Sequence, residues 1–130
     1  RTCECMGVDA IIIPQKGAAQ IGADAVKTSA GALFKIPICK VSSLKNTITF
    51  LQESGIQVIC AAEKFSENCY DVDMTQPVAL VFGAEEDGIE SSIIEKADAC
   101  IKIPMKGEIS SLNVSAATAM CVYEVCRQRK

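Results

Sequence analysis

Five short apolar runs without polar alternation dominate this chain: DAIIIP (Asp9 to Pro14), PICKV (Pro37 to Val41), IQVICAA (Ile56 to Ala62), PVALVFG (Pro77 to Gly83) and ACIKIP (Ala99 to Pro104). A strand with one wet face alternates apolar and polar residues, whereas a strand covered on both faces, as in a parallel sheet, reads as a continuous apolar run. Helical patterns lie between the runs. The clearest are SSLKNTITFLQESG, with Ser43 placed to cap it and Gly55 to stop it; IESSIIEKAD, in which Ile89, Ile93 and Ala97 share a face; and the terminal NVSAATAMCVYEVCRQRK. A further helix is expected within Ala18 to Leu33. Strand and helix alternate, which predicts an α/β fold with a mainly parallel sheet and helices on both faces.

A chain of 130 residues has room for one sizeable core, so residues 1–130 are expected to form a single domain. The longest polar stretch, Glu63 to Gln76, reads as a surface connection. No apolar run approaches the roughly eighteen residues a membrane span requires, and the N-terminus lacks the basic-then-apolar pattern of a signal peptide. The expectation is a soluble, cytoplasmic protein with no membrane partner. The chain opens on Arg1 rather than methionine and reads as a piece of a longer protein.

There are eight cysteines and no histidine. Cys3, Cys5, Cys39, Cys60, Cys69, Cys100, Cys121 and Cys126 contain no CxxC pair, so no metal site is expected. Most lie in apolar runs and read as reduced, buried thiols, with Cys3 and Cys5 the readiest to oxidise. Without histidine, any proton transfer near neutral pH must use another group. The net charge of -3 argues against strong binding of nucleic acid by this chain alone.

In open parallel sheets, ligands bind beyond the carboxyl ends of the strands, which directs attention to the loops after Phe82 and Ile103. Gly83 and Gly88 serve either a strand-to-helix turn needing positive φ or a close approach to a ligand. Glu85, Glu86 and Asp87 are either solvated charges near a helix N-terminus or part of a site, and three acids make a poor phosphate cradle. The chain has neither GxGxxG nor GxxxxGK[ST], which weakens the case for dinucleotides and nucleoside triphosphates. A cationic ligand without phosphate, such as S-adenosylmethionine, fits better. Ser110, Ser111 and Asn113 read as helix caps or as polar site groups, and Leu112 as a packing residue or an apolar wall for an adenine ring.

LVFGAEEDGI (Leu80 to Ile89) and IPMKGEISSLNVSAA (Ile103 to Ala117), in this order and near the C-terminus, resemble the second and third motifs of the SpoU/TrmH family of RNA ribose 2′-O-methyltransferases. The likeness extends back over KTSAGALFKIP to RTCECMGVDAIIIP, which is similar to the tail of the first motif, with Arg1 on that motif's arginine. The asparagine and glycine of that motif are not in this sequence. The QKGAAQIGADAVKTSAGAL segment looks most like the 23S rRNA guanosine methyltransferase branch.

The resemblance implies a C-terminal deep trefoil knot that holds S-adenosylmethionine as methyl donor, and a homodimer whose sites borrow groups from both subunits. By position, Phe82, Gly83, Gly88, Ile103, Met105, Ser111 and Leu112 would bind the donor. Arg1, Glu85, Ser111 and Asn113 would be catalytic: Arg1 polarising or positioning the 2′-hydroxyl, Ser111 and Asn113 orienting arginine and ribose, and Glu85 holding the site's shape or pairing with the arginine. The implied partner is RNA, specifically a guanosine of 23S rRNA. Transfer RNA is the alternative within the family, and a catalytically idle RNA-binding or dimerisation domain of the same fold is another. An oxidoreductase on a dinucleotide-binding sheet is disfavoured by the missing glycine fingerprint.

Overall fold

A computed structural model of the chain describes residues 1–15, 35–84, 87–108 and 112–130. They gather into two compact units, Arg1–Leu44 and Lys45–Lys130. In the first, a short helix α1 (Thr2–Cys5) leads to strand β1 (Ile11–Pro14), which pairs in parallel with β2 (Ile38–Val41), Ile11 opposite Ile38 and Pro14 opposite Val41. The expected helix within Ala18 to Leu33 lies outside the described residues. Both expected strands form, but β2 leaves Cys39 and Lys40 exposed rather than covered.

The second unit is a four-stranded sheet in the order β4-β6-β3-β5, with every pair parallel: β3 (Gln57–Ala61), β4 (Glu67–Asn68), β5 (Val78–Phe82) and β6 (Ala99–Lys102). The last strand thus enters between two earlier ones. At its centre β3 buries Val58, Ile59 and Cys60 in succession, which covers both faces, as its lack of alternation requires. Ile59 and Ile101 are fully buried and pack with Cys69, Met74, Cys121 and Val125 into one core. Burying a side chain of isoleucine size contributes about 1.5–3 kcal/mol, so this cluster is the chief source of cohesion.

Three helices accompany this sheet: α2 (Leu44–Glu53), α3 (Ser91–Lys96) and α4 (Val114–Gln128). Helix α2 ends where the sequence placed its stop: Gly55 takes φ 85°, and the Ile56 N–H donates back to the Leu51 carbonyl at 2.9 Å. Asp98 ties the base of the sheet together. Its carboxylate accepts from the Val58 N–H at 2.8 Å and from Gln52 Nε2 at 3.2 Å, while its own N–H donates to the Val58 carbonyl.

The stretch from Glu63 to Gln76 is more than a surface connection. It contains β4 and a 3₁₀ turn (Cys69–Asp71), and it sends Cys69 and Met74 into the core. The C-terminal end of α4 holds it there. Gln128 accepts from the Met74 N–H at 2.7 Å and donates to the Val72 carbonyl at 3.0 Å, and Arg129 donates to the Met74 and Gln76 carbonyls. Of the cysteines, Cys60, Cys69 and Cys121 are buried, Cys5 and Cys39 exposed, and the remainder half-buried, so the expectation of mostly buried thiols holds for three positions only.

Candidate functional site

Strands β3, β5 and β6 run in the same direction, so their carboxyl ends gather on one side of the sheet, and a cavity of 660 Å³ opens there. Ala61 and Ala62 come from the end of β3, Phe82 and Gly83 from the end of β5, Ile103 and Met105 from the exit of β6, and Val114 and Ala117 from the first turns of α4. Small-molecule sites commonly occupy about 300–1,000 Å³, so the volume suits a nucleoside-sized ligand.

The loop after β5 folds back on itself to make one wall. The Gly88 N–H donates to the Ala84 carbonyl at 2.8 Å, and Gly88 turns the chain at φ 68°, in the left-handed region where glycine is unstrained. Gly83 has a different reason to be glycine. Its α-carbon abuts the backbone of Gly88 and Ile89, which leaves no space for a side chain. Ile89 then descends into the core side of the loop, and Ile93 one turn into α3 follows it.

The opposing wall comes from the segment that enters α4. Leu112 and Asn113 line the cavity, and Asn113 caps the helix, its Oδ1 accepting from the Ser115 N–H at 2.8 Å. Leu112, Ile103, Met105, Ile89 and Phe82 give part of the cavity an apolar lining suited to a flat ring, while Glu63, Lys64 and Asp87 add charged groups to it.

Six of the seven residues expected to hold a methyl donor, Phe82, Gly83, Gly88, Ile103, Met105 and Leu112, line this single cavity. The seventh, Ser111, lies outside the described residues, as does Glu85. Of the expected catalytic set, Asn113 lines the cavity and Arg1 belongs to the first unit, where it is exposed and its carbonyl accepts from the Cys5 N–H at 3.0 Å.

Cys60, one residue before the cavity lining, offers no nucleophile. Burial, aided by the neighbouring Cys100, pushes its thiol up to about 11, and nucleophilic cysteines work as thiolates. Among the described residues no group of histidine, cysteine and acidic side chains is arranged to hold a metal ion, and no helix is long and apolar enough to cross a membrane.

The sequence matches the model of the SpoU rRNA methylase family over residues 1–123. The chain belongs to this family. It is 42% identical over 129 residues to the 23S rRNA (guanosine-2′-O-)-methyltransferase RlmB of Yersinia pestis, a match covering 99% of this chain and 52% of that protein. Identity to the RlmB of Escherichia coli strain K12 is 40% over 129 residues, covering 99% and 53%. This SpoU chain therefore spans about half the length of the curated relatives it matches. Among solved structures, the SpoU methyltransferase AviRb from Streptomyces viridochromogenes in complex with AdoMet superposes with a TM-score of 0.91 at 28% identity, over 99% of this chain and 51% of that one. The A. aeolicus TrmH/SpoU tRNA modifying enzyme gives 0.88 at 34% identity, over 98% and 65%.

Sequence motifs pointed to two of the walls of this SpoU cavity and missed the third. Ala61 ends β3 and Ala62, Glu63 and Lys64 follow it, and they reach the cavity because β6 and β5 flank β3 in the sheet. Strand order is not written in local periodicity. The available signal was the general one, that every parallel strand of such a sheet points its carboxyl end toward the ligand side.

Proposed function

We propose that this chain is the catalytic domain, over residues 1–130, of a cytoplasmic RNA methyltransferase that transfers a methyl group from S-adenosylmethionine to a guanosine ribose 2′-hydroxyl in 23S rRNA. The observation that carries the reading is the convergence of Phe82, Gly83, Gly88, Ile103, Met105 and Leu112 on one cavity at the strand ends. The residues fit the donor: an apolar side for adenine, and no cluster of cations of the kind that would favour a phosphate. The donor, when bound, supplies an electrophilic methyl group on sulfonium.

In this reading the chain orients the acceptor and holds its own site together. Arg1 polarises or positions the 2′-hydroxyl, Ser111 and Asn113 set the ribose and the arginine, and Glu85 steadies the arginine. Such positioning is a large source of acceleration when no histidine is present to act as base. We further take the C-terminal segment to be knotted and the working unit to be a homodimer. Met120 and Tyr123, 46% and 62% exposed and three residues apart on one face of α4, supply an apolar surface on which a second copy would close. The identity to RlmB enzymes along almost the whole chain favours ribosomal over transfer RNA.

Calorimetric titration with S-adenosylhomocysteine, beside a Leu112→Arg variant, tests the pocket. Labelled methyl transfer to 23S rRNA, with the label mapped to a guanosine ribose, tests the reaction. Saturable binding that the variant loses is expected. A folded wild type that binds no S-adenosylhomocysteine would sink the reading.

A further inference from the structure

Two thiols face one another across the central strands of the second unit. In the parallel pairing of β3 with β6, Cys60 stands opposite Cys100, between the pairs Ile59 with Ala99 and Ala61 with Ile101. Residues of a strand alternate between faces, and Ile59 and Ile101 share the main core, so Cys60 and Cys100 both point to the other face of the sheet. Their sulfurs are close enough for Cys100 to help push the Cys60 thiol up. Cys60 is fully buried, whereas Cys100 keeps part of its surface in solvent. Neighbouring strands of a sheet lie about 4.8 Å apart, inside the α-carbon range of about 4.4–6.8 Å that a disulfide spans. Side chains of directly opposed residues project in parallel, so their Cβ atoms keep about that spacing, a little beyond the roughly 3.5–4.5 Å that a relaxed disulfide prefers. A bond here pulls the two strands slightly together, and strained disulfides of this kind are the readily reduced ones. Cys69 and Cys121 are also neighbours, but both lie inside the core.

We propose that Cys60 and Cys100 form a reversible oxidation site, at which hydrogen peroxide converts the two thiols to a disulfide that fastens the last strand to β3. The Cys100 sulfur attacks the peroxide, the O–O bond breaks, and Cys100 becomes a sulfenic acid as one water leaves. The Cys60 sulfur then attacks the Cys100 sulfur, the S–O bond breaks, and the Cys60 proton leaves with the hydroxyl as a second water. The pair loses two electrons and two protons, and the peroxide takes them up as two waters. Burial keeps Cys60 protonated, so closure is the slow step. A dithiol reductant reverses it by exchange. The bond closes a loop that runs from β3 through β4 and β5 to β6, which restrains the unfolded chain and so stabilises the second unit, cavity included.

The test uses the full chain carrying Cys5→Ser and Cys39→Ser, which removes the exposed thiols. It is treated with hydrogen peroxide, alkylated, digested without reduction and mapped by mass spectrometry. The expected product is a pair of peptides joined through Cys60 and Cys100, absent after treatment with dithiothreitol and absent when Cys100→Ala is added. The oxidised protein should melt at least about 4 °C above its reduced form, a rise that Cys100→Ala should abolish. Should Cys100→Ala fail to fold, the peptide map of the parent protein decides alone. Joining of Cys69 to Cys121 instead, oxidation of Cys100 to an unpaired acid, or no change at Cys60 and Cys100 overturns the site. A cross-linked protein that melts no higher than the reduced one overturns the fastening.

Discussion

Gly83 packs its bare α-carbon against Gly88: a Cβ added there would stand 2.7 Å from the Gly88 α-carbon and 2.6 Å from the Ile89 nitrogen. Those atoms are backbone, so nothing nearby can swing aside. Gly83→Ala should force the loop away from the end of β5, destabilise the second unit by about 1–3 kcal/mol and abolish measurable binding of S-adenosylhomocysteine. Gly88→Ala meets open space and carries only the strain of its φ, about 1–2 kcal/mol. Chemical denaturation and calorimetry on both variants check the contrast. Equal binding by Gly83→Ala and wild type would show that the loop does not shape the pocket.

Gln128 should matter far more than a polar residue near a helix end usually does. Its amide accepts from the Met74 N–H and donates to both the Val72 carbonyl and Glu124. Gln128→Met keeps the length and removes all three bonds, leaving part-buried peptide groups without partners, which should lower stability by about 1–3 kcal/mol. The readout is the urea midpoint at unchanged m. A shift as small as that of an exposed substitution elsewhere on α4 would contradict the clamp.

Glu124 ties stability to acidity. The Arg127 guanidinium, bonded at 2.8 Å through Nε and again through Nη2, and the Gln128 amide hold its carboxyl below the ordinary 4.5. A carboxyl whose folded value is depressed contributes fully above its unfolded value, and that contribution is lost as pH falls through the folded one. Wild-type stability should therefore exceed that of Glu124→Gln at neutral pH, with the difference narrowing steadily below pH 4.5. Denaturation at a series of pH values measures it, and a difference that grows on acidification would reverse the sign argued here.

Asn113 caps α4 and lines the cavity, and substitution can separate its cap from the proposed role in orienting the ribose. As the cap of α4 it accepts from the Ser115 N–H, and Asn113→Ala should remove about 1 kcal/mol of stability. Asn113→Asp keeps the cap. If Asn113 also orients the acceptor ribose, Asn113→Asp should remain as stable as wild type yet lose at least about tenfold in kcat, equivalent to about 1.4 kcal/mol at the transition state, with donor affinity intact. Full turnover by this variant would leave Asn113 as a cap alone.

The thiols should label in an order set by burial. Burial, and secondarily Cys69, pushes Cys121 up to about 12, and Cys60 stands at about 11, whereas Cys5 and Cys39 face solvent. Iodoacetamide at mildly alkaline pH should modify Cys5 and Cys39 first and reach Cys60 and Cys121 only on unfolding. Peptide mass mapping over time gives the order, and early labelling of Cys121 would contradict its place in the core.

The strands were legible because a strand covered on both faces cannot alternate, and β3 and β5 fall inside the apolar runs that announced them. Strand β4 was not legible, since two residues, Glu67 and Asn68, carry no period. Nor was the burial of Met74, which depends on Gln128 and Arg129 arriving from the far end of the chain. The same division runs through the cavity. Residues within the two motifs were readable locally, while Glu63 and Lys64 become wall residues only once β6 lies beside β3. Arg1 belongs to the other unit, and Glu85 and Ser111 to segments outside the described residues, so their roles stand as proposals.

The order β4-β6-β3-β5 has a consequence for how occupancy would be felt. The cavity is lined by segments that are remote in sequence, and they come together only when the last strand has taken its place between two earlier ones. A molecule seated there grips the beginning, middle and end of the second unit together. Its binding free energy therefore adds to the stability of the whole sheet rather than to one loop, and a rise in melting temperature with ligand concentration becomes a direct meter of site occupancy.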